Sequence, residues 1–343
     1  MICLKGYYIN KCKTYSEVEN LIKKVYENIY LIEVALPNNP LKALNSYVIK
    51  GADKSLIIDT GFNQKECIDI LVNGLKELDV DSRDTELFIT HLHSDHSGMA
   101  NLFAGEGVKI YSGEVDGKII NEMTEDLYWR QFDDLKVLFD LERDNITFTE
   151  HPGYKYALNS PVEFTYVKEG DKIEIDEYVF EVISIPGHTP GHIGLYEEKH
   201  KLFFGGDHIL DSITPNIGFW GLKDDILATY FNSLNKIHTF DIDYLFASHR
   251  NILTEHKKRI DELFLHHKKR LNEILEVLEE GELTVRDVAS RMSWRIRAKD
   301  WDHFPGPQKW FASEEAMSHL QHLYFSKKID RELRDNKFYF KLK

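Results

Sequence analysis

Residues 85–91, TELFITH, form a largely apolar run that leads without a break into the bend His91-Leu92-His93-Ser94-Asp95-His96. A short run of this kind reads as a buried strand, the strand type of a layered α/β sheet. The C-terminal edge of such a sheet is where its loops collect functional groups. Three imidazoles and a carboxylate crowded onto that edge restrict the chain to folds that hold a ligand cluster there.

The flanking sequence alternates in the same sense. NIYLIEV (28–34), LNSYVIK (44–50) and KSLIIDTG (54–61) are apolar runs cut by Pro, Asn, Gly and Asp, and they read as strands and turns. NQKECIDILVNGLKEL (63–78) places Cys67, Ile70, Leu71, Leu75 and Leu78 on one helical face. HSGMANLF (96–103) is expected to begin a helix after the bend, and VKIYSG (108–113) to be the next strand. Residues 113–150 are charged, aromatic and helical in pattern, an insert in the β regime. Strands resume near residue 162 and continue through GHIGLYEE (191–198) and KLFFGGD (201–207). A helix is predicted over 223–237, then the strand DYLFASH (243–249). Strand and helix alternate, so the class is α/β.

Beyond His249 the strands stop. Ile260, Leu263, Phe264, His267, Leu271, Ile274, Leu275 and Leu278 recur three or four apart, as in one long amphipathic helix ended by Gly281. Thr284-Val-Arg-Asp287 resembles a capping box opening a short helix. SEEAMSHLQHLYFS (313–326) suits a further helix with Ser313 as N-cap, and IDRELRDNKFYFKLK (329–343) a hairpin turning at Asp335-Asn336. Three helices with a two-stranded wing predict a winged-helix-like domain over 251–343, appended to a body over 1–250 that carries the 113–150 insert.

The chain has 343 residues and a net charge of −14. That charge is unevenly spread: residues 251–343 hold 19 Lys and Arg against 16 Asp and Glu, a balance of +3, leaving −17 on the body. An acidic body argues against phosphate-backbone binding, and the tail lacks the strong basic face of a DNA reader. The tail is therefore expected to pack on the body or to pair two copies as a homodimer. No apolar stretch is long enough for a membrane span, and the polar start is not read as a secretory signal. Three cysteines (Cys3, Cys12, Cys67), none near the histidines, argue against disulfides and a thiolate metal site and fit a reducing cytoplasm.

Three further segments bring ligand-type residues to strand ends: His188 in SIPGHTPGHIG, Asp207 in FFGGDH and His249 in LFASHR. Imidazole with carboxylate suits Zn²⁺, and also Fe or Mn. Seven such side chains are too many for one tetrahedral ion and suit two ions sharing a carboxylate. A pair of ions roughly 3.5–4 Å apart brings a bridging water to ionise near neutrality and polarises a carbonyl under attack.

The order His-x-His-x-Asp-His, His, Asp, His resembles the metallo-β-lactamase superfamily over about residues 28–250. The resemblance implies an αββα sandwich with the site at one edge between the sheets. It makes His91, His93 and His188 the ligands of one metal and Asp95, His96 and His249 those of the second, with Asp207 bridging and Asp59 of IIDTG bracing the site from outside. Asp at 207, where true β-lactamases carry Cys or Ser, is similar to the hydroxyacylglutathione hydrolase, lactonase and phosphodiesterase branches. The implied reaction is hydrolysis of an ester, thioester or lactone by metal-bridged hydroxide, with Asp207 or Asp95 accepting the proton.

GDHILDSITPNIGFW (206–220) is similar to a bacterial subgroup of these hydrolases bearing a C-terminal winged helix, and places Phe219 and Trp220 to wall an acyl pocket. Tyr128 and Trp129 on the insert are candidates for a lid. Arg250 stands where many family members have Gly and is a candidate grip for an anionic group of a small-molecule substrate. The aromatic segment WDHFPGPQKWF (301–311) is expected to strap tail to body, with His303 packing in the strap rather than reaching the site. The alternatives are a phosphodiesterase or endoribonuclease of the same fold, a mononuclear iron persulfide dioxygenase, and a non-enzymatic nucleic-acid-binding protein using the tail.

Overall fold

The structure, a computed structural model, describes residues 22–105 and 107–343. Cys3, Cys12 and the polar start lie outside the described residues. Strands β1 (Ile22–Tyr26), β2 (Ile29–Ala35), β3 (Ala43–Lys50) and β4 (Ser55–Ile58) run as an antiparallel meander. Helix α1 (Lys65–Glu77) then crosses to β5 (Thr85–Phe88), which pairs parallel with β4. Past the one-turn helix α2 (Ser94–Ser97), β6 (Ile110–Gly113) continues the parallel set. The insert contributes α3 (Glu114–Glu122), α4 (Asp126–Leu138) and the single turn α5 (Pro152–Lys155) before β7 (Thr165–Val167) closes the seven-stranded sheet. The half-exposed edge strand β1 was not foreseen in the sequence, because its IKKVY carries too little apolar alternation to signal a strand.

The second sheet is built from β8 (Lys172–Ile175), β9 (Tyr178–Ser184), β10 (Ile193–Glu197) and β11 (Leu202–Gly206). After helix α6 (Ile226–His238), β12 (Tyr244–Ala247) adds parallel to β11, giving the order β12-β11-β10-β9-β8. Period-2 alternation decides the layers. In β2, Ile29 and Leu31 face the core between the sheets, meeting Phe180, Phe204 and Phe246, whereas Ile32 and Val34 pack with Cys67, Ile70, Leu71 and Leu75 of α1. The outer face of the second sheet is covered by α6 and by Ile260 and Leu263. The result is an αββα sandwich, and the predicted apolar face of α1 is the one it buries.

The tail runs α7 (His256–Leu278), β13 (Leu283–Thr284), α8 (Val285–Arg291), α9 (Gly306–Phe325), β14 (Ile329–Arg334) and β15 (Lys337–Leu342), with a small sheet ordered β13-β15-β14. Thr284 caps α8 by accepting from the Asp287 N–H at 3.2 Å. Asp335 and Asn336 both adopt left-handed φ values (49° and 60°), as a two-residue hairpin turn requires. Ser313 is not an N-cap: α9 starts at Gly306 with Pro307 in its first turn, and the Ser313 hydroxyl donates to the Lys309 carbonyl inside the helix. The pattern up to residue 312 was hidden by Gly306 and Pro307, which read as a break but stand where a helix tolerates them. The helix expected from His96 onward is also corrected. One turn forms within the bend itself, then gives way to a 3₁₀ turn over Ala100–Phe103. A Cβ at Gly98 would come within 2.8 Å of the Tyr156 and Gly61 carbonyls, so the backbone there is pinned against its neighbours.

Helix α7 joins two cores, with Ile260 and Leu263 in the body and Ile274 and Leu278 in the tail. The insert packs on the tail core: Phe132 stacks on Trp310 at 3.8 Å between ring centroids, and Phe139, Leu141 and Ile146 are buried there too. At their junction the Asp144 carboxylate accepts from Arg286 (2.5 Å), Lys309 (2.8 Å) and Trp301 Nε1 (3.0 Å), its side chain 2% exposed. Burial raises this carboxyl, but Arg286 and Lys309 outweigh burial and hold it below the ordinary carboxylate range. Removing one partner of a buried ionic cluster strands the others, so Asp144→Ala is expected to cost about 3–5 kcal/mol in urea unfolding at pH 7. Because the folded-state pKa is depressed, the contribution is complete above the unfolded value of about 3.9 and is lost as pH falls through the folded value. The gap between wild type and variant should therefore narrow in acid.

Candidate metal centre

Each member of the sequence cluster leaves the C-terminal end of a strand. His91 follows β5 by three residues, His93 is the N-cap of α2, and Asp95 and His96 lie on its single turn. His188 follows β9, Asp207 directly follows β11, and His249 closes the segment after β12. Folding brings all seven together. Three overlapping groups have ligand atoms within 4.8 Å of one another and could hold a metal ion: His91, His93 and His188; His91, His96 and Asp207; and Asp95, His96 and His249. Asp207 touches the histidines of both ends. Its carboxylate lies 3.7 Å from His188 Nε2, 3.7 Å from His96 Nε2 and 3.5 Å from His249 Nε2.

The outer nitrogens show why the rings point inward. His96 Nδ1 meets the Asp59 carboxylate at 2.7 Å, His188 Nδ1 donates to the Asn216 carbonyl at 2.7 Å, and His249 Nδ1 donates to the Ala43 carbonyl at 2.7 Å. His91 Nδ1 lies 3.0 Å from Thr90 Oγ1. Each of these contacts orients its ring and leaves Nε2 facing the centre. His93 instead offers Nδ1, 3.0 Å from both His91 Nε2 and His188 Nε2. Inside, His96 Nε2, His249 Nε2 and Asp207 Oδ1 are buried without a hydrogen-bond partner. Buried polar atoms left unpaired and aimed at one point are costly unless something binds them, and an all-nitrogen-and-oxygen donor set fits divalent transition-metal ions.

Electrostatics divides the cluster. Burial, helped by neighbouring His188, pushes His93 down to about 3, and His91 is likewise lowered by burial and its imidazole neighbours. These rings are neutral at pH 7 with lone pairs available. Burial also opposes charge on His96, but Asp59, Asp207 and Asp95 together raise it well above the ordinary value. Asp207 is raised by burial and lowered further by His249 and His96, so it stays ionised.

Asp59 braces several segments at once. Its left-handed φ of 59° turns the chain after β4, and its carboxylate accepts from Thr90 N (2.9 Å), Thr90 Oγ1 (2.8 Å) and Ser248 Oγ (3.2 Å) besides meeting His96. The sequence reading missed a second such carboxylate, Asp116 at the start of the insert. Fully buried, it accepts from Leu92 N (3.0 Å), Thr189 Oγ1 (2.5 Å) and Gly191 N (2.6 Å), tying the His91–His93 bend to the His188 loop. Burial pushes it up to about 6 against those hydrogen bonds. In sequence it is one acid in a charged helical stretch, and nothing local marks it.

The candidate substrate residues separate. Trp220 is at the site: its Nε1 donates to the His188 carbonyl at 3.3 Å and its ring centre lies 6.5 Å from that of His93. Phe219 is buried against Phe139 in the core shared by insert and tail, and Trp129 is buried with Nε1 bonded to the Met123 carbonyl. Tyr128 is half-buried beside Trp129. The Arg250 guanidinium donates to the Pro40 carbonyl at 3.0 Å. Arg250 has φ 68°, the left-handed conformation that favours glycine. His303 is exposed and bonded to Asp300, away from the cluster. His208 is buried against Tyr230.

The model of the metallo-β-lactamase superfamily matches residues 41–249, and the chain belongs to that superfamily. A probable metallo-hydrolase of Bacillus subtilis is 25% identical over 309 residues, 86% of this chain and 92% of its own. An acyl-coenzyme A thioesterase of Gallus gallus is 29% identical over 173 residues (49% of this chain, 58% of its own). A hydroxyacylglutathione hydrolase of Haemophilus influenzae is 29% identical over 158 residues (44% and 59%). Among solved structures, a metallo-β-lactamase family protein from Thermus thermophilus superposes with a TM-score of 0.76 at 24% identity, covering 92% of this chain and 99% of its own. The protein is a metal-dependent hydrolase. Among the described residues, no helix is long and apolar enough to cross a membrane.

Asp116→Ala leaves two buried N–H groups and a hydroxyl unpaired, at about 1–3 kcal/mol for each buried group. The variant is expected to unfold at lower urea concentration and to retain less metal after dialysis than wild type, read by elemental analysis.

Proposed function

We propose that the chain is a dinuclear metallohydrolase acting on a thioester or related ester. The observation that carries this is Asp207, whose single carboxylate lies within 3.7 Å of histidines from both ends of the cluster. His91, His93 and His188 would hold one ion and Asp95, His96 and His249 the other, with Asp207 shared. When bound, two such ions supply a water nucleophile at neutral pH and polarise the carbonyl under attack. The chain's own groups do the rest. Asp95, with Oδ2 at 3.4 Å from His249 Nε2, and Asp207 are carboxylates inside the cluster that can take a proton from the attacking water and return it to the leaving thiol. Trp220 fixes the His188 loop and places an apolar ring beside His93, where an acyl group can lie.

The thioester preference draws on the relatives named as an acyl-coenzyme A thioesterase and a hydroxyacylglutathione hydrolase, of whose length the matched segment spans 58% and 59%. Zinc is the preferred ion on donor chemistry. The test is elemental analysis of purified protein together with a panel of thioesters, lactones and bis-p-nitrophenyl phosphate. The expected result is two ions per chain and thioester hydrolysis abolished by chelation. Asp207→Ala should lower kcat by roughly 10²–10⁴-fold, the scale of lost proton-transfer assistance. One iron per chain with oxygen uptake, or phosphodiester cleavage in preference to thioester cleavage, would reject the proposal.

A further inference from the structure

The loop that supports His188 is itself covered by the tail. Asn216 accepts from His188 through its carbonyl and donates from Nδ2 to the Phe311 carbonyl of α9 at 3.3 Å. Two residues on, Gly218 has no side chain, and the space where its Cβ would stand is bordered by three groups. These are Glu314 Oε2 at 3.7 Å, Asn216 Oδ1 at 3.9 Å and Trp220 Nε1 at 3.9 Å. Trp220 in turn contacts His188 and faces His93, so this slot is next to the metal cluster.

Glu314 differs from its neighbour on the same helix. Glu315 pairs with Arg270 at 3.3 Å, as a buried acid ordinarily must. Glu314 has no such cation among the described residues. Burial dominates its surroundings, opposed by a hydrogen bond from Trp310, and pushes the carboxyl up to about 8. Burial raises the Tyr128 phenol of the insert as well, so it too is uncharged. A carboxyl without a cation partner, close to a cluster of ligand side chains, is a candidate functional group. In its protonated form Glu314 offers an O–H donor to the slot. Asn216, whose amide orientation is set by its bond to Phe311, offers an acceptor there. One donor and one acceptor at a common opening complement a secondary amide.

We propose that Glu314 and Asn216 form an amide-recognition subsite at Gly218 that binds the amide of the substrate's thiol half. The inference rests on the thioester reading above and deepens it. Secondary amides occur close to sulfur both in a pantetheine arm and in a cysteinyl peptide such as glutathione, and the assay separates the two.

The full chain, loaded with zinc, is assayed with four acetyl thioesters: of N-acetylcysteamine, pantetheine, glutathione and amide-free mercaptoethanol. Wild type should show a higher kcat/KM for at least one amide-bearing thioester than for the mercaptoethanol ester, through KM rather than kcat. Glu314→Ala should reduce that selectivity ratio roughly tenfold, the scale of one neutral hydrogen bond, while Glu314→Gln, which keeps a donor, should restore most of it. Gly218→Leu, filling the slot from the opposite side, should reduce the ratio without touching Glu314. The ester most affected, pantetheine or glutathione, names the source of the amide. A ratio within twofold of wild type in both Glu314→Ala and Gly218→Leu overturns the subsite while leaving the hydrolase reading standing. A wild type that hydrolyses none of the four overturns both.

Discussion

The carboxylate of Asp59 receives hydrogen bonds from the residue before His91 and from the residue before His249, and it meets the outer nitrogen of His96. Those groups follow strands of both sheets, so one buried acid registers the two halves of the sandwich at the edge where the ligands emerge. Asp116 does the same between the His91–His93 bend and the His188 loop. A cluster of buried imidazoles and carboxylates is intrinsically expensive. It persists here because His91, His96, His188 and His249 each have the outer nitrogen held and the inner nitrogen aimed at shared space. The rigid sheets supply the positions and the two acids supply the alignment, so metal affinity and fold stability draw on the same contacts.

The C-terminal module is joined to this arrangement rather than hung from it. Asp144 binds Arg286 and Lys309, Phe132 stacks on Trp310, and Phe311 and Glu314 lie against the loop that carries Asn216 and Trp220. A helix far along the chain thereby shapes the surroundings of His188. The insert, whose Tyr128 and Trp129 were candidates for a lid, is a wedge between body and tail: Trp129 belongs to the body's core and Phe132 to the tail's.

Much of this was legible because ligand chemistry and strand periodicity are local signals. The bend at 91–96 names its own residue types, and the runs around β2, β3, β5, β9 and β12 alternate or stay apolar as buried strands must. What failed to show was of two kinds. Start and stop signals misled where a Gly-Pro pair stood inside the first turn of α9, and where Gly98 cut a helix short by close backbone contact. Partners distant in sequence were also invisible. Asp116, Asn216 and Glu314 look like ordinary polar residues in polar stretches until the fold brings Leu92, His188 and Gly218 to them.

Sequence alone determined the superfamily, the α/β layering and the identity of the inward-facing donors, because these depend on residue type and short-range spacing. Tertiary structure decided which side chains surround those donors. It turned Phe219 and Trp129 into the core, tied Arg250 to a backbone carbonyl, kept Trp220 beside the cluster and set Glu314 apart from the cation that serves its neighbour. Burial and the pairing of charges are properties of the packed chain. They follow from which surfaces meet, and no window of sequence contains both sides of a contact.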